Sequence, residues 1–121
     1  MRILSTKIMT AVAANATSAS NAIDCNQLFK LSAQVIASSG TSNGTLQLQV
    51  SNDIQAGNQN FGNLIWTNWS NLGSAVTVNA AGSTLIAQQD MCYKALRALY
   101  TDASGGTASA TITVQIFALG I

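Results

Sequence analysis

Polar and apolar residues alternate along most of this chain, and the period is two rather than 3.6. In Gly44-Thr45-Leu46-Gln47-Leu48-Gln49-Val50-Ser51, Leu46, Leu48 and Val50 face one way while Thr45, Gln47, Gln49 and Ser51 face the other. Successive side chains of an extended chain point to opposite faces, so the pattern predicts a half-buried strand. Thr107 to Leu119 repeats it. Ala108, Ala110, Ile112, Val114, Ile116 and Ala118 form one face, and Thr111, Thr113 and Gln115 the other. That second face turns apolar at Phe117 and Leu119, which predicts a last strand covered on both sides at its end.

Gly, Asn, Ser and Asp separate these runs, and the chain has no Pro. Turns are expected at 38–44, 79–82 and 102–106, and a longer loop from Asn52-Asp53 through Asn63. Eight strands result, at about 7–14, 17–23, 28–37, 44–51, 66–78 (with a break near Gly73), 83–89, 94–101 and 107–119. Residues 91–100 contain good helix formers, but their place between turn-bounded strands argues for a strand. There Leu96, Ala98 and Tyr100 share one face, and Ala95, Arg97 and Leu99 point oppositely. The fold expected is all-β: a single antiparallel β-sandwich, an eight-stranded jelly roll. Residues 17–121 form the sandwich, and residues 1–16 a first strand or ordered N-terminal arm. The apolar stretch after Lys7 is short and broken by Thr10, so it reads as this arm rather than as a leader.

Composition turns the argument toward function. The 121 residues include no His and no Glu, and only 7% are charged, against about a quarter in ordinary soluble domains. Tuned acid–base chemistry near neutral pH usually relies on His, so an enzyme is the least favoured class. Arg2, Lys7, Lys30, Lys94 and Arg97 are scattered and the net charge is +1, which disfavours nucleic acid. No apolar run is long enough to span a membrane. Cys25 and Cys92 have neither CxxC spacing nor a His partner for a metal, and read as two buried thiols rather than a disulfide. No cofactor or metal is implied. Low charge with abundant Thr, Gln and Asn suits faces that meet neighbouring subunits or neutral ligands, because charges are costly to desolvate.

One constellation stands out. Ser51-Asn52-Asp53 with Asn68-Trp69 could form a glycan site, with Trp69 or Trp66 stacking a sugar and Asp53 and Asn68 bonding its hydroxyls. The plainer reading gives Asp53 to an Asx turn and Trp69 to the end of the core. Arg97, on a strand, needs a partner, which Asp53, Asp24 or Asp90 could supply, or it acts as a ligand clamp. Asp24, Asp53, Asp90 and Asp102 each stand alone at a strand end, where turn duty explains them better than hydrolysis or calcium binding.

The order of segments carries a resemblance. Ala22-Ile23-Asp24, an alternating strand to Ala37, Gly44-Thr45-Leu46-Gln47-Leu48-Gln49-Val50-Ser51-Asn52-Asp53, Asn68-Trp69, Tyr93 to Thr101 and Ser104-Gly105-Gly106-Thr107 follow an outline G-T-L-x-L-x-x-S-N-D … N-W … Y-x-x-L/V-R-x-x-Y-T … S-G-T. This resembles small β-sandwich proteins of tailed phages and environmental viruses, and covers most of the chain after residue 20. The resemblance implies a virion structural component, such as a capsid decoration or minor capsid protein, assembled in the host cytoplasm, where reducing conditions favour free thiols. Its expected partners are further copies of itself and other virion proteins. The same strand grammar resembles galactose-binding-like domains, which makes a carbohydrate-binding module for a neutral glycan the alternative. For inter-subunit contact the arm and the loop 54–65 are the expected segments. Their apolar residues Ile3, Leu4, Ile8, Met9, Phe61, Leu64 and Ile65 have no evident core role in so small a sandwich.

Overall fold

The computed structural model describes residues 1–52 and 68–120, and in them the chain is an antiparallel β-sandwich with no helix. Sheet A runs β1 (Ile3–Ala13), β10 (Thr111–Gly120), β4 (Leu28–Ala37), β8 (Gly82–Asp90). Sheet B has β9 (Ala95–Asp102) and β5 (Gly44–Ser51) at its centre. Two short pieces, β2 (Ser18–Ala19) and β3 (Ile23–Asp24), line the free side of β9. Two others, β6 (Ser70–Asn71) and β7 (Val76–Val78), line the free side of β5. Counting each broken pair as one strand, the spatial orders are 1-8-3-6 and 2-7-4-5, the double Greek key of a jelly roll. Ala95–Asp102 is strand, not helix, as the turn-bounded position of this segment predicts, one residue later at each end than the expected 94–101.

The breaks have local causes. Gly73, at φ 69°, interrupts the lane between β6 and β7, and Gln47 Nε2 donates to the Leu72 and Gly73 carbonyls that the break frees. Between β2 and β3, Ser20 N–H donates to the Ala98 carbonyl while Ser20 Oγ accepts from Ala98 N–H. A side-chain oxygen thus replaces one backbone acceptor of the ladder.

The core lies between the sheets. Leu46, Leu48, Val50, Leu96, Ala98 and Tyr100 of sheet B meet Leu31, Ala33, Val35, Ile112, Val114 and Ile116 of sheet A, all buried. Each large aliphatic side chain so placed contributes about 2 kcal/mol of apolar transfer. Tyr100 is wholly buried, and its hydroxyl donates to the Ala14 carbonyl at 3.3 Å. Gly44 lies flat against it: a Cβ there would meet Tyr100 Oη at 2.5 Å and collide with the Thr101 carbonyl.

Three expectations change. Phe117 and Leu119 are not covered, being 48% and 38% exposed. Their side of β10 is the outer face of sheet A, over which no further layer of the described residues packs. Residues 3–13 form a full edge strand paired to β10. Leu4 and Ile8 pack against the core and Met9 is buried within it, so these residues do have a core role; Ile3 points outward at 60% exposure. Two register shifts, at Lys7/Met9 and Met9/Val12, bring Met9 inward, and they place Ala11 at φ 48° with its N–H donating to Thr113 Oγ1. Finally, both cysteines are free, but only Cys25 is buried; Cys92 is exposed.

Candidate functional site

The outer face of sheet B carries the candidate site. Gln49 of β5 and Arg97 of β9 are cross-strand partners, and Gln49 is also the partner of Asn71 in β6. Period-two alternation puts all three on the solvent side, because Leu48, Val50, Leu96 and Ala98 take the core side. Arg97 Nε donates to Gln49 Oε1 at 2.8 Å. Guanidinium can only donate, so this bond fixes which end of the amide faces it. Gln49 Nε2 then points at Asn71 and donates to its Oδ1 at 3.1 Å. Trp69 precedes β6, and the Arg97 guanidinium carbon lies 4.5 Å from the centroid of its ring. A cation over an indole face is worth about 0.5–1 kcal/mol when exposed. The unit Asn71–Gln49–Arg97–Trp69 therefore holds a guanidinium at both its Nε and one face. Arg97 is half-buried, and burial pulls its pKa below the ordinary value.

Of the residues singled out by sequence, the structure brings Trp69 and Arg97 together, with exposed Asn68 beside Trp69 in the chain. Asp53, Trp66, Phe61, Leu64 and Ile65 lie outside the described residues. Arg97 bonds Gln49, and the two described Asp candidates serve elsewhere. Asp24 Oδ1 accepts from the Asn26 N–H at 2.8 Å, and Asp90 sits opposite Lys30 in sheet A. Asn52, next to Asp53 in the proposed turn, accepts from the Lys94 N–H at 3.0 Å and ties the end of β5 to the start of β9. One face of Trp69 is taken by Arg97, so a sugar stacked on that face is excluded.

Gln49 and Asn71 are the members that sequence reading missed. Gln49 is legible as outward-facing, but nothing in either strand's pattern says that it meets Arg97, 48 residues away. The remaining chemistry is structural. Asp102 accepts from Ser104 Oγ–H and N–H and from Gly106 N–H, and these bonds hold its carboxyl below the usual range. Burial, then the nearby Asp24 carboxylate, pushes the Cys25 thiol up to about 12, so it is a neutral packing group. Among the described residues no three metal-ligating side chains come together, and no helix is long and apolar enough to cross a membrane. A hollow of about 120 Å³ under the β7–β8 turn, lined by Val35, Val78 and Ala80 among others, holds no charged group.

No family model matches the chain, and no curated protein matches its sequence. Among solved structures, the crystal structure of PBSX exported protein XepA is similar over 98% of this chain, with a TM-score of 0.66 and 16% identity. The chain spans 37% of that protein's length. At this identity, what the two share is the β-sandwich fold.

Proposed function

We propose that the chain is a structural component of a phage particle, a capsid decoration or minor capsid protein that works by protein–protein contact and is found in the virion. The observation that carries this reading is the outer face of sheet A. Ile3 and Leu119 are cross-strand partners there, and Phe117 lies two residues along the same face. They are 60%, 38% and 48% exposed. Leu85 of β8, 67% exposed, adds a further apolar side chain near the opposite edge. A cluster of this kind on a chain with so few charges marks a surface that meets another protein. The fold shared with PBSX exported protein XepA and the resemblance to small phage β-sandwich proteins support the same reading. The reading assigns the chain no catalysis, in keeping with a composition that lacks His and Glu.

The test is light scattering after size exclusion at two salt concentrations, on the native chain and on Phe117→Asp. The expected result is a closed oligomer that salt does not disperse and that the variant reduces to monomers with an unchanged circular dichroism spectrum. A native monomer indistinguishable from the variant removes self-association through this face.

A further inference from the structure

Arg97 is held as a half-finished fork. Nε is bonded to Gln49, and the guanidinium carbon lies over the Trp69 ring, while the two Nη groups have no hydrogen-bond or ion-pair partner among the described residues. A half-buried guanidinium with no counter-charge among the described residues has lost part of its hydration and gained no carboxylate from them. Arginine with its orientation already fixed loses little freedom on taking a planar anion in a two-pronged bond.

The surroundings say what would carry the anion. Along the same outer face, Thr45 lies opposite Thr101 and Thr77, and Gln47 opposite Leu99. Thr45, Thr77, Thr101, Gln47, Gln49 and Asn71 make rows of neutral amide and hydroxyl groups, interrupted by the half-buried Leu99. The exposed large apolar side chains of the strands, Ile3, Phe29, Leu85, Phe117 and Leu119, all belong to sheet A. A protein partner would need such anchors at the centre of its footprint. A polyhydroxylated ligand with one carboxylate would not. We propose that the Arg97 Nη edge, positioned by Gln49 and Asn71, binds the carboxylate of an acidic saccharide, such as a hexuronate or a sialic acid residue. The site is on the opposite side of the sandwich from the assembly surface and does not depend on that reading.

Calorimetric titration of the purified chain tests it with paired probes: oligogalacturonate against its methyl ester, and sialyllactose against lactose. The free acid of at least one pair should bind about tenfold or more tightly than its neutral partner, the scale of one charge-assisted contact. Arg97→Lys keeps the charge but loses the fork, and should weaken the acid by a similar factor. Gln49→Glu places a carboxylate against Arg97 from within the chain. It should abolish binding of the acid while leaving the thermal midpoint at least as high as that of the native chain. The exposed Lys94 is the control, and Lys94→Gln should leave binding unchanged. Equal affinity for acid and neutral partner, no binding of either acid, or undiminished binding by Gln49→Glu overturns the proposal. So does an aspartate-bearing peptide that binds as tightly as the sugar acids, since the site would then read a carboxylate on protein.

Discussion

The two outer faces of the sandwich enclose one core and present opposite chemistry. Sheet A is built of four long strands, and its outer face carries Ile3, Phe117 and Leu119 into solvent. Sheet B has two continuous strands flanked by broken lanes, and its outer face carries Gln47, Gln49, Asn71, Arg97 and paired threonines. Alternation forces both sheets to hide the same kinds of residue inward. It leaves the outward positions to differ, and only those positions can separate a surface for another protein from a surface for a polar ligand.

If both sheets share one core, removing an inner side chain from either should cost alike. Leu46→Ala in sheet B and Ile112→Ala in sheet A should each destabilise by about 2–5 kcal/mol in urea unfolding, and a loss confined to one would break the symmetry of the sandwich. Tyr100→Phe removes only the hydroxyl bond to Ala14 and should cost about 1 kcal/mol, whereas Phe117→Ser on the outer face of sheet A should shift monomer stability by no more than about 0.5 kcal/mol. A larger effect at Phe117 would mean that this face is packed after all. Ala11→Gly relieves a left-handed backbone on the β1 edge and should raise stability by about 0.5–1 kcal/mol, with a higher thermal midpoint as the readout.

The smallest effect concerns pH. Asp102, at the end of β9, has its folded pKa below the ordinary value, so its contribution is present above the ordinary carboxylate range and fades as pH falls through the folded value. Asp102→Asn should therefore shorten the acid limb of the stability curve. Coincident acid midpoints would show that the 102–106 turn does not depend on the charge. At the other extreme, Cys25 has its folded pKa raised to about 12 from 9.0, so stability is intact below about 9 and declines as the unfolded chain ionises above it. Thiol labelling of the native protein at neutral pH should modify Cys92 and spare Cys25.

How much of this was legible in the sequence depended on whether the determining contacts were local. Residues 28–37 and 44–51 have the observed bounds because their alternation is unbroken and Gly, Ser and Asn punctuate it. The split of 17–23 into two pieces was not legible, because it turns on Ser20 Oγ meeting a strand far along the chain. The shift that carries Met9 inward was hidden too, since a bulge breaks the period from which faces are read. Alternation assigned Phe117 and Leu119 to their side of β10, but their apolar character, read as a sign of cover, does not decide whether another layer lies over that side. The same limit applies to Arg97. Its direction was readable, but its partners depended on the register between β5, β6 and β9.

The pairing of β1 with β10 also governs when the molecule can form. Ala11 and Thr113, 102 residues apart, meet across that seam. During synthesis the β1 segment emerges first and has to wait for its neighbour until almost all of the remaining sandwich has been made. Such long loops close slowly, so refolding should fall toward the millisecond-to-second end of the range for small domains. Until the seam closes, Leu4, Ile8 and Met9 lack their native shelter, and the edge of β1 is a template for other nascent chains. Arg2 and Lys7, two of the chain's five cations, lie beside and within that strand, where like charge discourages a second copy from pairing too early.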